Sequence, residues 1–276
     1  MRKIQSRILL SCFGFVMYSC QIYDKPIVFS AIGDVPYSEE VVKELDKSIA
    51  EHNKSSESSF IIHLGDIKPG SKPCEEQIYR DVSNQLKKSN LPVYIIPGDN
   101  EWNDCSNPNQ AFSLWTKYLY HLNENWDKIH EVAYQPNRTE NFSWIERDVV
   151  FVGLNLVGGR VHDSLEWKER LEANAKWIGQ IVKQNSSSLK AMVVFGHANM
   201  NNVPEKFEAF VEGFRAVAKS FDKPILYLQG DGHHWIKDRP WIEQNILRVQ
   251  VDVGANILKV KVDTNLEDPF VFNKAD

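Results

Sequence analysis

Five apolar runs in this 276-residue chain stop in the same way, at a glycine followed at once by an aspartate or a histidine. Ile27 to Ile32 ends in Gly33-Asp34, Phe60 to Leu64 in Gly65-Asp66, and Val93 to Pro97 in Gly98-Asp99. Ala191 to Phe195 ends in Gly196-His197, and Ile225 to Gln229 in Gly230-Asp231. Short apolar runs bounded by turn residues read as buried strands. Ligands of open α/β sheets sit at the carboxyl ends of such strands. One Gly-Asp pair is an ordinary turn, its aspartate free to make an Asx turn or cap a helix. The recurrence is the informative part. It brings five ligand-type side chains toward one sheet edge and points to a metal centre with Asp66 at its middle.

The segments between the runs read as helices. Ser38 followed by Val41, Val42, Leu45 and Ile49 has helical spacing to about His52, with Glu39 and Glu40 in the first turn. Helices are expected over about Glu75 to Lys88, Asn107 to Leu122, Ser164 to Gln184 and Pro204 to Ser220. Asp34, Asp66 and Asp99 are spaced by 32 and 33 residues, about one βα unit each. Right-handed crossovers would make these strands parallel, with their carboxyl ends on one edge. Residues 123–140 are polar and irregular, suited to a cap or rim. Asn141 to Ile145 and Val149 to Leu156 read as an antiparallel pair. Ile246 to Val253 and Ile257 to Val262 are expected to finish a second sheet. No composition shift or linker divides residues 26–276, so a single domain is expected there.

Residues 1–20 have the form of an export signal. Arg2, Lys3 and Arg7 precede an apolar stretch from Ile8 to Tyr18, too short to cross a bilayer. Met17-Tyr18-Ser19-Cys20 resembles a bacterial lipobox, with Met17 in place of leucine, making Cys20 the candidate for lipidation and residues 21–25 a tether. Export would place the protein in the bacterial cell envelope or periplasm, held to the membrane by its lipid. In that oxidising compartment Cys74 and Cys105, each a few residues beyond a candidate carboxylate, are expected to form a disulfide; two free buried thiols are the alternative. The formal charge of -5 includes the three basic residues of the leader, so the mature chain is more negative still. That disfavours binding to a nucleic-acid backbone.

The candidate metal ligands are Asp34, Asp66, Asp99, His197, Asp231 and His233. Carboxylates with imidazoles suit Mn, Zn or Fe. Two such ions bridged by one aspartate would bind phosphate oxygens and activate water for in-line attack. His63 has side-chain parity opposite to Asp66 and is expected to face away from the centre. Lys68 and His234 are candidate phosphate-side groups.

In order, Gly-Asp, Gly-Asp, Gly-Asp-Asn-Glu, Gly-His and Gly-Asp-x-His resemble the motifs of the calcineurin-like metallophosphoesterases, over Ile27 to about His234. The resemblance implies an α/β fold of two mixed β-sheets packed as a sandwich and flanked by helices. It also implies hydrolysis of a phosphomonoester or phosphodiester by a metal-bound hydroxide, with one or two divalent ions as cofactor. By position, Asp34 and His233 would hold the first metal, Asp66 would bridge, and Asp99, His197 and Asp231 would hold the second. Three ligand positions depart from the family pattern: Pro36 stands in place of a histidine ligand, Asp99 of an asparagine, and Asp231 of a histidine. Asn100 replaces the histidine that protonates the leaving group or steadies the phosphate, leaving Asn100 and Asp99 as the nearest candidates for catalytic roles. The other reading is a weak or inactive lipoprotein that keeps the fold to bind a metal or ligand.

Overall fold

The structure is a computed structural model and describes residues 25–274. The expected signal segment, Cys20 and all but the last residue of the tether lie outside the described residues. Two mixed sheets face each other. The first has the order β12-β11-β1-β2-β3, built from β1 (Ile27–Ile32), β2 (Ile61–His63), β3 (Val93–Ile95), β11 (Leu258–Val262) and β12 (Phe270–Asn273). The second runs β4-β5-β6-β7-β8-β10-β9. Its members are β4 (Ala133–Gln135), β5 (Arg138–Glu146), β6 (Val149–Gly153), β7 (Ala191–Phe195), β8 (Ile225–Gln229), β9 (Ile236–Asp238) and β10 (Ile246–Gln250).

One aromatic-rich core joins the sheets. Phe29, Phe60 and Tyr94 from the first pack with Trp144, Phe151 and Phe195 from the second. Helices α1 (Glu39–Ser55), α2 (Glu76–Leu86) and α3 (Pro108–Tyr118) cover the outside of the first sheet through Leu45, Tyr79, Val82 and Trp115. Helices α4 (Ser164–Asn185) and α5 (Glu208–Phe221) cover the second through Trp167, Ile178, Phe210 and Phe214. The two-sheet sandwich flanked by helices is therefore the observed fold. Strands covered on both faces read as near-continuous apolar runs, as the fully buried β7 does throughout and β8 does as far as Leu228.

Strands β1, β2 and β3 are parallel, as are β6, β7, β8 and β10. All five Gly-Asp and Gly-His pairs thus emerge at strand carboxyl ends. One expectation fails: the last two predicted strands do not share a sheet. β10 continues the second sheet beside β8, whereas β11 crosses over and pairs antiparallel with β1. Their burial follows from the placement. β10 is buried along its length, while β11 alternates between buried and partly exposed, the pattern of a strand with one covered face. The segment 123–140 contains β4 and the start of β5 as well as irregular chain.

Candidate metal centre

The loops after β1, β2, β3, β7 and β8 bring the side chains of Asp34, Asp66, Asp99, His197 and Asp231 together. Two sets have ligand atoms all within 4.8 Å of one another: Asp34, Asp66 and His197, and Asp99, His197 and Asp231. His197 is common to both. Its Nδ1 lies 2.8 Å from the Leu64 carbonyl, so that nitrogen carries the proton and Nε2 offers its lone pair to the centre. Such fixing of the tautomer by a backbone carbonyl is typical of metal-ligating histidines. Nε2 lies 3.3 Å from Asp66 Oδ1 and 3.1 Å from Asp99 Oδ1. His233, half-exposed, closes the open side with Nε2 3.3 Å from Asp34 Oδ1.

Burial and like charge make this arrangement costly for the protein alone. Burial raises the pKa of Asp66, and Asp99 and Asp34 add to the rise against the influence of His197. Burial also raises Asp231. Burial opposes the charge on Asp99, yet the His197 imidazole beside it brings its pKa below the ordinary value. For His197 burial favours the neutral ring, but the Asp66 and Asp99 carboxylates raise its pKa well above the usual range. His197 Nε2 and Asp99 Oδ1 are nevertheless buried without a well-formed hydrogen bond. Oxygen and imidazole donors, crowded, buried and partly unpaired, fit divalent cations.

The backbone is shaped to the site. Asp34, Asp66, Asp231 and His233 all have positive φ, between 56° and 71°. Aspartate tolerates this region better than most residues, but each such position costs on the order of 1 kcal/mol or more. Gly98 allows the closest approach: a Cβ there would lie 2.2 Å from both the nitrogen and Oδ1 of Asp66.

Two residues absent from the predicted ligand set organise the centre. The Tyr37 hydroxyl donates to Asp66 Oδ2 at 2.9 Å and lies 3.3 Å from Asp34 Oδ1. Its phenol is pushed far up by burial, then by Asp66 and Asp34, so it acts as a neutral donor among the carboxylates. Tyr37 stands one residue beyond Pro36, the position read as a lost ligand, and nothing in its spacing marked it. The fully buried Glu101 accepts from the backbone N–H groups of Gly98 at 2.6 Å, Asp66 at 3.3 Å and Ile67 at 3.4 Å. It ties the loop after β2 to the loop after β3. Its spacing three residues after Gly98 is that of a capping residue.

The other predicted residues are placed as follows. The Asn100 amide donates to Asp66 Oδ2 and to the Tyr37 hydroxyl, and its backbone N–H donates to Asp66 Oδ1. The Lys68 ammonium is buried and donates to the carbonyls of Pro69 and Lys72 at 3.3 and 2.8 Å. Both bonds hold the loop that follows Asp66. His234 is exposed, its Nδ1 2.6 Å from the Gly232 carbonyl. His63 is in neither ligand set; its Nε2 is bonded to the Val35 carbonyl. Cys74 and Cys105 form a disulfide that ties the loop after β2 to the turn following Asp99.

A two-sheet sandwich with paired carboxylate and histidine ligand sets at its strand ends defines a metallophosphoesterase fold. The profile described as calcineurin-like phosphoesterase matches residues 28–238, and the chain belongs to that family of metal-dependent phosphoester hydrolases. Among solved structures it is similar to a dimetal phosphatase from Danio rerio, at 14% identity and a TM-score of 0.60, covering 91% of this chain and 96% of that one. A purple acid phosphatase from yellow lupin seeds matches at 10% identity and a TM-score of 0.60, over 90% of this chain and 51% of that one. GAP50 of Plasmodium, described as the anchor in the inner membrane complex, matches at 10% identity and a TM-score of 0.56, over 92% and 89% of the two chains. At these identities the likeness is one of fold. No curated protein matches this chain in sequence.

Proposed function

We propose that this protein is an exported phosphoesterase, anchored by a lipid on Cys20 in the bacterial cell envelope, that hydrolyses a small phosphomonoester or phosphodiester. The observation that carries the hydrolase reading is the meeting of two ligand sets at His197. Divalent ions bound there would neutralise phosphoryl oxygens and lower the pKa of water to supply the nucleophile. Asp34 and His233 would hold one ion, Asp99, Asp231 and the one free nitrogen of His197 would hold the other, and Asp66 would serve both. Mn, Zn and Fe suit these donors.

The chain's own residues shape the rest of the reaction. Tyr37 and the Asn100 amide hold Asp66 in position by donating to the same oxygen. The two amide hydrogens of Asn100 are taken by Asp66 and the Tyr37 hydroxyl, and the neutral amide has no proton to give a leaving group. Substrates with low-pKa leaving groups are therefore favoured. Support for export comes from the basic and apolar leader and from the oxidised Cys74–Cys105 pair.

The neutral amide at Asn100 also favours a second reading, a lipoprotein that binds metal and turns over little. Elemental analysis of the mature protein, paired with mono- and diester substrates in the presence of Mn, Zn or Fe, separates the two. Bound metal with turnover supports the hydrolase. Bound metal with no turnover on any ester supports the second reading, and absence of both contradicts each. Cys20→Ala should move the protein from the membrane fraction to the soluble one; no change would remove the lipid anchor.

A further inference from the structure

A cavity of about 580 Å³ opens between the turn that follows β3, the start of β5 and the amino end of α4. Two connections bring it beside the metal centre. Trp102, on its wall, shares the five-residue turn Asp99–Asn103 with Asp99. The 157–163 segment is the other: a Cβ at Gly158 would lie 3.2 Å from Asp99 Oδ1 and 3.1 Å from Asp231 Oδ2, while Asp163, five residues on, lines the cavity.

The walls combine flat apolar faces with hydrogen-bond acceptors. The Trp102 and Phe112 rings lie 4.8 Å apart, and Trp167 lines the cavity as well. The fully buried Arg170 packs its guanidinium against Trp102 at 5.0 Å and Trp167 at 4.7 Å, which fixes both rings. Among the polar residues are the carboxylates of Glu140, Asp163 and Glu166 and the guanidinium of Arg138, which lies 3.4 Å from Glu166. Asn155, only 1% exposed, donates its amide N–H to Glu140 while its Oδ1 has no partner. The bond from Asn155 holds the Glu140 carboxylate on the wall of a cavity of ligand size.

We propose that this cavity is a subsite for a neutral polyhydroxylated ring, a sugar or cyclic polyol, forming the organic part of the phosphoester. Three carboxylates against one guanidinium, itself paired with Glu166, leave the cavity negative and disfavour an anion, so the phosphate itself belongs at the metals. Acceptor-rich walls match adjacent hydroxyl donors better than a nucleobase, which has few donors, and the aromatic plates suit the C–H face of a ring. The link to a phosphoester rests on the function proposed above; binding of the free ring does not.

The test is a tryptophan-fluorescence titration of the full mature protein with free myo-inositol, glucose and adenosine, in which no turnover is involved. Trp102 and Trp167 are the reporters. A saturable response to a polyol is expected, weakened about tenfold in Glu140→Gln by loss of a charged acceptor. Phe112→Leu, away from the buried polar groups, should weaken it as well. No saturable response to either polyol would overturn the subsite even if phosphoesters are hydrolysed. Saturation by adenosine alone, or identical affinities in wild type and both variants, would overturn it too. Polyol binding in a protein that hydrolyses no ester would uphold the subsite and contradict only the hydrolase.

Discussion

Nε2 of His197 lies 3.1 Å from Oδ1 of Asp99, both atoms buried and neither well hydrogen-bonded to any group of the protein. Since the same Nε2 also reaches Asp66 at 3.3 Å, His197 links the two ligand sets. Its one free nitrogen serves a single ion, so His197→Ala, like Asp231→Asn, is expected to weaken binding of the ion held by Asp99 by about 100-fold or more and to leave the other. Elemental analysis after dialysis checks this: both variants should retain part of their metal. Loss of all metal from His197→Ala alone would contradict it.

Glu101 acts at one remove. Burial and then Asp66 raise its pKa to about 8, yet its two oxygens serve three backbone N–H groups on two loops. Glu101→Gln turns one acceptor into a donor facing those N–H groups. A loss of about 1–3 kcal/mol in stability is expected from the unsatisfied donors. Metal affinity should fall about 10–100-fold. Thermal unfolding and a metal titration of the variant measure the two effects.

His63 makes stability depend on pH. Burial lowers its pKa from 6.5 to about 4, so the folded protein keeps the ring neutral while the unfolded chain takes up a proton. Its contribution is fully present above about pH 6.5 and is lost progressively as pH falls toward 4, by on the order of 3 kcal/mol in total. Denaturant unfolding of wild type and His63→Gln between pH 7 and pH 4 tests the sign. The wild type should lose more stability than the variant over that range, and parallel curves would rule this out.

Asn100 limits the leaving group. A histidine placed there would supply a proton donor next to Asp66. Asn100→His is expected to raise the rate on an alkyl phosphoester by about 100-fold, with little change on p-nitrophenyl phosphate, whose leaving group needs no acid. Equal effects on the two substrates would show that proton donation is not what Asn100 lacks.

The carboxylates and His197 were legible because each follows an apolar run, and parallel crossovers then bring such ends to one edge. Tyr37 was not, since a phenol after a proline has no distinctive spacing and only the folded loop turns its hydroxyl onto Asp66. Glu101 stood in view within Gly-Asp-Asn-Glu, but its work is on backbone groups, which residue types do not reveal. The charge of Lys68 was plain in the sequence, but its bonds to carbonyls of its own loop were hidden for the same reason. Among the strands, β4, β9 and β12 are too short to show a period. The exchange of β11 into the first sheet depends on tertiary pairing with β1, which no local pattern encodes. The positive φ at four candidate ligand positions was likewise invisible in residue order.

The central claim is that Asp66 belongs to a working metal centre. Metal content and phosphoester hydrolysis measured on the same preparations of mature wild type and Asp66→Asn test it most directly. The prediction is a wild type that carries Mn, Zn or Fe and hydrolyses p-nitrophenyl phosphate, and a folded variant that loses metal and activity together. A variant that keeps both, or a wild type that has neither, would contradict it.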